Sequence, residues 1–336
     1  MVKTLKQKVA EGPQELDVLH WMGRAALEMI GRGGFGYSFD PLVEGITPHP
    51  FITAAKQLVP TLSSLAISRE YLLPKLIKIG TPRLRRLAVT LIPSKKIQKL
   101  RYIVDTFERT SVEIFEMKKK ASQEGGFESL DQKGKDIMSV LSASLTFAGT
   151  DTTSNALSRI LQLLSTHPKV QDKLRSEVIQ AINTYGDDIL YDDLVKLPFL
   201  DAVCRETLRL YPPIPIVARV ARQGASVSLS TPIKGLDGRE MHSIMIPKGT
   251  KLYMSVSNAN RDPALWGPDS QEWKPERWLS PLPQVLTDAR VPGIYSHLFS
   301  PSKEIEWKMT TITTPWVKGS TTPQLPLNVE LVSKAT

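Results

Sequence analysis

Three short segments of the chain carry residue types that could do chemistry together. The first, Phe147 to Thr153, places a carboxylate, Asp151, and three threonines beside Gly149. In a helix Ala148 and Thr152 share one face with Asp151 beside it, because residues three or four apart are neighbours. Gly149 removes a side chain where a planar ligand could lie close. The segment predicts a ligand-contacting helix face or, as the plainer alternative, a buried helix whose threonines bond back to the backbone.

The other two segments pair a carboxylate with guanidinium groups. Glu206 and Arg209 lie three residues apart, so they face the same way on a helix. Exposed pairs of this kind contribute little to stability, but the flanking leucine, tyrosine and proline residues predict burial, where a carboxylate needs several donors. Arg277, between Pro275-Glu276 and Trp278, is a candidate second guanidinium. The alternative for this last segment is a plain proline-rich loop.

The composition indicates a globular chain with neither an intramolecular disulfide nor a cysteine-rich zinc site. Its 336 residues are 41% hydrophobic, enough for a sizeable core. A single cysteine excludes an intramolecular disulfide and a cysteine-rich zinc site, and the five histidines show no metal-ligand spacing. Polar sequence follows the first six residues, so we expect neither a signal peptide nor a membrane-spanning anchor.

Charge is concentrated in one region. The chain carries +9 overall, and nine bases but no acid lie between residues 72 and 101, where they alternate with apolar residues and prolines. This pattern predicts short amphipathic helices with either a solvated face or a contact with an anionic membrane surface. Nucleic acid is the weaker interpretation, because the aromatic residues of a stacking surface are missing.

Apolar periodicity predicts a mainly α fold with small β elements late in the chain. A helix from Glu15 to Ile30 should stop at the glycine cluster 31–36; Gly31, Gly33 and Gly36 match a dinucleotide-binding pattern, but no strand precedes them. The remaining predicted helices span 136–166, 169–185 and 200–210. From Ile214 onward the short Val/Ile/Leu runs, such as 226–229 and 251–256, predict hairpins.

Together the three segments, in this order, resemble the cytochrome P-450 superfamily of haem-thiolate monooxygenases. The residues within these segments are similar to those of fungal members. The resemblance covers the chain from about Leu16 to Leu298. It implies one domain, 1–336, with an incomplete cytochrome P-450-like fold. It also implies a haem cofactor, a small apolar substrate oxidised with dioxygen, and electrons from an NADPH-cytochrome reductase. The implied location is the endoplasmic reticulum membrane surface, or the cytoplasm if the anchor is truly missing.

The resemblance also assigns roles to individual residues. Asp151 and Thr152 would be the catalytic acid–alcohol pair that relays protons to bound dioxygen. Ala148 and Gly149 would contact the haem on its oxygen side, and Arg219 would pair with a propionate. The residues of the buried structural triad would be Glu206, Arg209 and Arg277. The residues that would line the substrate pocket are Ser144, Phe147, Ile214 and Val217.

The chain departs from the family pattern at two places. By this resemblance we expect the family's N-terminal anchor and first helices to be missing, including the Trp-x-x-x-Arg helix that holds the other propionate. After Leu298 the family has a Phe-x-x-Gly-x-Arg-x-Cys-x-Gly loop, whereas this chain continues Phe299-Ser300-Pro301-Ser302-Lys303. Residues 311–332 look like the family's closing β-hairpin. We therefore expect an internal loss of the haem-ligand loop and the following helix.

No other residue is a good substitute for the missing cysteine. Cys204 lies two residues before Glu206, about 200° around the same helix, with no glycine-rich loop to present its sulfur. His297 as the axial ligand would lack the electron donation by which a thiolate favours cleavage of the O–O bond. The resemblance implies haem, but the sequence predicts no metal ligand to bind it. Three hypotheses follow: a monooxygenase inactive as written, a non-catalytic splice or gene-model remnant, or a basic membrane- or nucleic-acid-binding module.

Overall fold

The computed structural model describes residues 1–124, 132–288, 305–311 and 324–329. The helices are α1 (Val2–Lys8), α2 (Val18–Ile30), α3 (Pro50–Ser64), α4 (Leu73–Leu76), α5 (Pro82–Leu91), α6 (Lys95–Glu124), α7 (Gln132–Thr166), α8 (Pro168–Tyr185), α9 (Tyr191–Leu194), α10 (Pro198–Leu210), α11 (Val256–Ala259), α12 (Pro263–Trp266) and α13 (Gln284–Asp288). The strands are β1 (Gln14–Asp17), β2 (Ile216–Ala221), β3 (Ala225–Lys234), β4 (Glu240–Ile246), β5 (Lys251–Ser255), β6 (Ile305–Thr311) and β7 (Pro326–Val329). The mainly α fold with small β elements is confirmed.

The chain forms two compact units. The first comprises Met1–Ser158 and Thr314–Thr336, and the second comprises Arg159–Thr313. The boundary falls inside α7, between Ser158 and Arg159. Across the part of the chain that the structure describes, no helix is both long and apolar enough to cross a bilayer.

The first unit has a strand, β1, where the sequence predicts the start of a helix. Glu15 to Asp17 belong to β1, which pairs antiparallel with β7, Leu16 opposite Leu327. Asp17 ends the strand and caps α2: its Oδ1 accepts hydrogen bonds from the backbone N–H of His20 at 3.3 Å and of Leu325 at 3.0 Å. The predicted helix start at Glu15 is therefore wrong by three residues, because these residues find ladder partners near the end of the chain.

The glycine cluster ends α2. A single π-helical segment, Gly31–Phe35, follows the helix, and Gly36 then takes a left-handed backbone with φ of 60°. A Cβ atom at Gly31 would lie 2.5 Å from the carbonyl oxygen of Tyr37, so the chain can turn back here only with glycine. A helix precedes this segment, which confirms the helix-stop interpretation over the dinucleotide one.

An aromatic cluster holds the helices of the first unit together. Phe51 of α3 stacks on Phe107 of α6 with ring centroids 4.5 Å apart, and Phe107 lies 5.9 Å from Phe147 of α7. Leu27 of α2 completes the buried centre. Three helices that are distant in sequence therefore converge on the stretch of α7 just before Asp151.

The second unit packs α10 against α8 and a proline-rich segment. Phe199 and Val203 of α10 are buried with Leu164, and Trp273 and Trp278 cover them. A three-stranded antiparallel sheet has the order β5-β2-β6, and β3 and β4 form a separate hairpin. The strand predicted at 226–229 lies in β3, and the one predicted at 251–256 is β5, which ends one residue earlier at Ser255. Of the expected hairpin over 311–332, residues 312–323 and 330–332 lie outside the described residues.

Candidate functional site

A fully buried carboxylate, Glu206, organises the second unit. It lies on α10, which starts with a proline at Pro198 and ends at Leu210 before Pro212. Arg209 donates to it from two atoms: Nη2 lies 2.7 Å from Oε1 and Nε lies 2.8 Å from Oε2. Such a two-point contact fixes both side chains in orientation as well as in charge.

Residues after α12 supply the remaining donors to Glu206. Oε1 also accepts from the backbone N–H of Lys274 at 3.0 Å and lies 3.4 Å from Arg277 Nε, and Oε2 accepts from Trp278 Nε1 at 3.0 Å. Arg277 is held in turn by Asp269, 2.9 Å from its Nη1. The structure thus brings Glu206, Arg209 and Arg277 together in one network, as a buried charge requires.

Arg209 also fastens a loop to α10. Its Nη1 donates to the backbone oxygens of Asn260 and Ser270, both at 2.7 Å, and its Nη2 donates to that of Glu272 at 3.1 Å. One guanidinium therefore donates to three loop carbonyls, two of which belong to the buried residues Asn260 and Ser270. The cluster therefore holds residues 260–278 against α10.

The surroundings keep Glu206 ionised. Burial by itself raises the pKa of this carboxyl, but the hydrogen bonds from Arg209, from the Lys274 backbone N–H and from Trp278, together with the charge of Arg209, outweigh burial and hold the pKa below its usual value.

In the first unit, Asp151 of α7 is also buried, and Lys56 of α3 neutralises it. Lys56 Nζ lies 2.9 Å from Asp151 Oδ1 in an electrostatic contact whose angle is poor for a hydrogen bond. The same ammonium donates to Asn155 Oδ1 at 3.1 Å and to Ser154 Oγ. Burial lowers the pKa of Lys56, and the charge of Asp151 opposes that shift. Sequence analysis missed Lys56, because it is one cation on a largely apolar helix.

The neighbours of Asp151 make mainly local contacts. Thr152 Oγ1 donates to the backbone oxygen of Ala148 at 2.6 Å, which is the back-bonded arrangement of a helical threonine. A Cβ atom at Gly149 would lie 2.6 Å from Cδ1 of Ile30, so this glycine lets α2 pack closely on α7. The geometry thus accounts for Gly149 by helix packing alone.

The remaining predicted site residues divide between the units. Arg219 is buried on β2, where its register partners are Leu252 of β5 and Trp307 of β6. Its Nη1 donates to the backbone oxygen of Ala218 at 2.9 Å. Burial lowers the pKa of Arg219. Val217 is buried two residues before Arg219, and Ile214 is half-buried just before the strand. Phe147 packs in the aromatic cluster of the first unit. Ser144 lies in α7, where the description does not extend to its side chain.

The environment of Cys204 does not fit a thiolate ligand to haem. Cys204 is half-buried on α10, and burial followed by the charge of Asp201 raises its pKa, so the thiol stays protonated. A haem-thiolate ligand requires the opposite environment. His297 lies outside the described residues. Within the described ranges no group of three His, Cys, Asp or Glu side chains could hold a metal ion.

Comparison with known proteins identifies the lineage. The sequence model of the family "Cytochrome P450" matches residues 1–286. "Cytochrome P450 monooxygenase 91" of Postia placenta is 42% identical over 384 aligned residues, covering 98% of this chain and 70% of that protein. "Ganoderic acid synthetase CYP5150L8" of Ganoderma lucidum is 41% identical over 324 residues, covering 89% of this chain and 59% of that protein. The chain belongs to the cytochrome P450 family.

A solved structure agrees on the fold. A crystal structure of a cytochrome P450, CYP102L1, superposes with a TM-score of 0.60 at 20% identity, covering 87% of this chain and 60% of that one. Family membership implies haem as the cofactor. Yet the alignment with the Postia protein is longer than this chain's 336 residues, so that relative has residues inside the aligned region with no counterpart here.

Proposed function

We propose that this chain derives from a haem-dependent monooxygenase of small apolar substrates and is non-catalytic in the form given. One observation carries the proposal: the only cysteine, Cys204, is a half-buried thiol with a raised pKa on the helix that also carries Glu206. An anionic sulfur ligand is what allows this class of iron centre to cleave dioxygen. Without an anionic sulfur ligand, the part of the family fold that this chain retains would not form a haem-thiolate centre.

The residues that would surround the haem support descent from an active enzyme. Ala148, Gly149, Asp151 and Thr152 would face the haem and dioxygen, and Arg219 would hold a propionate. Ser144, Phe147, Ile214 and Val217 would line the substrate pocket. Glu206, Arg209 and Arg277 would brace the proximal side. In an intact relative an NADPH-cytochrome reductase would supply the electrons.

An internal loss explains the missing ligand. The family match stops at residue 286, and the extra residues of the Postia relative fall within the aligned region. The gene between the codons for Leu298 and Ser302 tests this directly. We expect an intact reading frame there that encodes a Gly-x-Arg-x-Cys loop; genomic DNA that runs from one codon to the other without extra sequence contradicts a skipped segment.

Haem titration tests the functional consequence. The chain and its Cys204→Ser variant should give the same weak absorbance change on addition of haem, because Cys204 does not ligate iron. A relative with an intact cysteine loop serves as the positive control. A saturable one-to-one complex that Cys204→Ser abolishes would overturn the proposal.

A second proposal concerns the basic region 72–101, and the orientation of α5 supports a membrane contact. Arg86 donates to Asp105 of α6 at 2.7 Å, and Gln98 of α6 donates to the backbone oxygens of Val89 and Thr90, so these contacts hold α5 against α6. Leu84, Leu87 and Leu91 lie on one helix face, each more than half exposed. An amphipathic helix that points its leucines outward suits a lipid interface.

Vesicle sedimentation tests this second proposal. The triple variant Leu84→Ser, Leu87→Ser, Leu91→Ser should release the chain from vesicles that contain phosphatidylserine without lowering its stability. Exposed Val2 provides a matched control as Val2→Ser. Unchanged binding by the triple variant would contradict an α5 contact, and binding to nucleic acid at physiological salt would favour the alternative partner.

A further inference from the structure

The short helix α9 exposes a cluster of large apolar side chains to solvent. Tyr191, Leu194 and Val195 lie three and four residues apart, so they share one side of this helical turn, and they are between 40% and 76% exposed. Leu190, just before the helix, is 72% exposed. Single exposed apolar residues are ordinary, but a cluster of this kind marks a contact with another molecule.

Acidic residues flank these apolar side chains and restrict what can cover them. Residues 186–196, which we call the acidic surface, contain one base, Lys196, and Asp193 accepts from it at 2.8 Å. The acids of this surface are Asp187, Asp188, Asp192 and Asp193. An anionic lipid surface repels such a segment, whereas a basic partner is attracted to it. The occupant should therefore combine apolar side chains with positive charge.

The same chain carries a surface of that chemistry on and before α5. Residues 78–91, which we call the basic surface, contain one lysine and three arginines but no acid. Leu84, Leu87 and Leu91 lie on one face of α5, each more than half exposed. A helix with apolar anchors three, four and seven residues apart is suited to lie on an apolar surface of another protein.

We propose that this chain self-associates head to tail, with the basic surface of one copy on the acidic surface of the next. Both surfaces are exposed in the same chain, so each is available to another copy. Charge decides which surfaces meet, because two basic or two acidic surfaces repel each other. A contact between two different surfaces is heterologous, so copies add in one direction and form a ring or an open chain.

This self-association is separate from the haem question and from the lipid contact of α5. Lipid would compete for the leucines of the basic surface, so the association is measured without vesicles. Failure of the association would then leave both earlier proposals standing. Failure of haem or vesicle binding would likewise leave the association untouched.

Charge reversal tests the proposal by sedimentation velocity. The variant Lys78→Glu, Arg83→Glu reverses the basic surface, and the variant Asp188→Lys, Asp192→Lys reverses the acidic surface. All four residues are exposed. Glu11→Lys, Glu15→Lys is the matched control, because it reverses two exposed acids outside both surfaces. Circular dichroism and urea midpoints check that every variant folds like the unaltered chain.

At low ionic strength, we expect the weight-average sedimentation coefficient of the unaltered chain to rise with protein concentration. Added salt should remove the rise, because it screens exposed charges. Each reversed variant alone should lose the rise, and the control variant should keep it. An equimolar mixture of the two reversed variants should associate again, because each then offers the other a surface of opposite charge.

Four results would overturn the proposal. The first is an unaltered chain whose sedimentation coefficient does not depend on concentration. The second is association of the acid-reversed variant by itself, which would show that the acidic surface is not the partner of α5. The third is equal association of every variant, which would indicate non-specific aggregation. The fourth is a mixture of the two reversed variants that stays dissociated although both are folded.

Discussion

Lys56 and Asp151 form a buried ion pair between α3 and α7, with Lys56 Nζ 2.9 Å from Asp151 Oδ1 and both side chains nearly inaccessible to water. The pair ties the carboxylate that would serve catalysis in an active relative to a helix almost a hundred residues earlier. Its electrostatics therefore bear on both the stability of the first unit and the availability of Asp151.

Removing the cation alone should destabilise the first unit strongly. Lys56→Met leaves the Asp151 carboxylate buried without a counter-charge, and we expect a loss of about 3–5 kcal/mol in the free energy of unfolding. The double variant Lys56→Met, Asp151→Leu should recover most of that loss. Urea unfolding of the four chains of this cycle provides the measurement.

The Arg86–Asp105 pair is the matched control for this cycle. It has a similar distance, 2.7 Å, but Arg86 is 60% exposed. Arg86→Met should cost no more than about 1 kcal/mol. Equal losses for Lys56→Met and Arg86→Met would show that burial does not govern the Lys56–Asp151 interaction.

Neutralising Glu206 should loosen the second unit. Glu206→Gln keeps the shape of the side chain but leaves the buried Arg209 guanidinium without its anion, so we expect a loss of about 3 kcal/mol or more. Limited proteolysis should then cut within residues 260–278, which Arg209 fastens to α10. Glu276→Gln, which removes an exposed partner of Lys173, should leave both stability and the cleavage pattern unchanged.

The same carboxylate predicts an acid-dependent loss of stability. The pKa of Glu206 in the folded chain lies below its usual value of 4.5, so its stabilising contribution is fully present above pH 4.5 and is lost as the pH falls through the folded value. Urea midpoints measured below pH 4.5 should fall less steeply for Glu206→Gln than for the unaltered chain. Identical slopes would mean that Glu206 is not the titrating group.

Cys204 should react slowly with alkylating agents. Burial and Asp201 raise its pKa, and the thiolate is the reactive form. At neutral pH iodoacetamide should modify the folded chain far more slowly than the urea-unfolded chain. Rapid modification of the folded chain near pH 6 would reveal a stabilised thiolate and would reopen Cys204 as a metal ligand.

Local sequence patterns were sufficient for α2, α7, α8 and α10, but not for α3, for the length of α6 or for long-range partners. The glycine cluster at 31–36 and Pro212 act through local backbone geometry, so they could be placed from sequence alone. The strand Glu15–Asp17 could not, because its partner β7 lies some three hundred residues away. Lys56 was missed for the same reason: a cation on an apolar helix gives no sign of the carboxylate that it will meet.

The Glu206 cluster could be predicted from the sequence only in part. The spacing of Glu206 and Arg209 fixes their pairing, and the apolar flanks indicate burial. The donors from Lys274, Trp278 and the Asp269-held Arg277 depend on how the chain after α12 returns to α10. The proline and tryptophan residues of that segment indicate a rigid loop, but only the three-dimensional structure supplies the contacts.

The absorbance spectrum of the reduced chain under carbon monoxide, after incubation with haem, tests the central claim most directly. A protonated Cys204 on α10 and the absence of any other cysteine predict that no thiolate-type Soret band appears. A thiolate-type band from this chain would contradict the account.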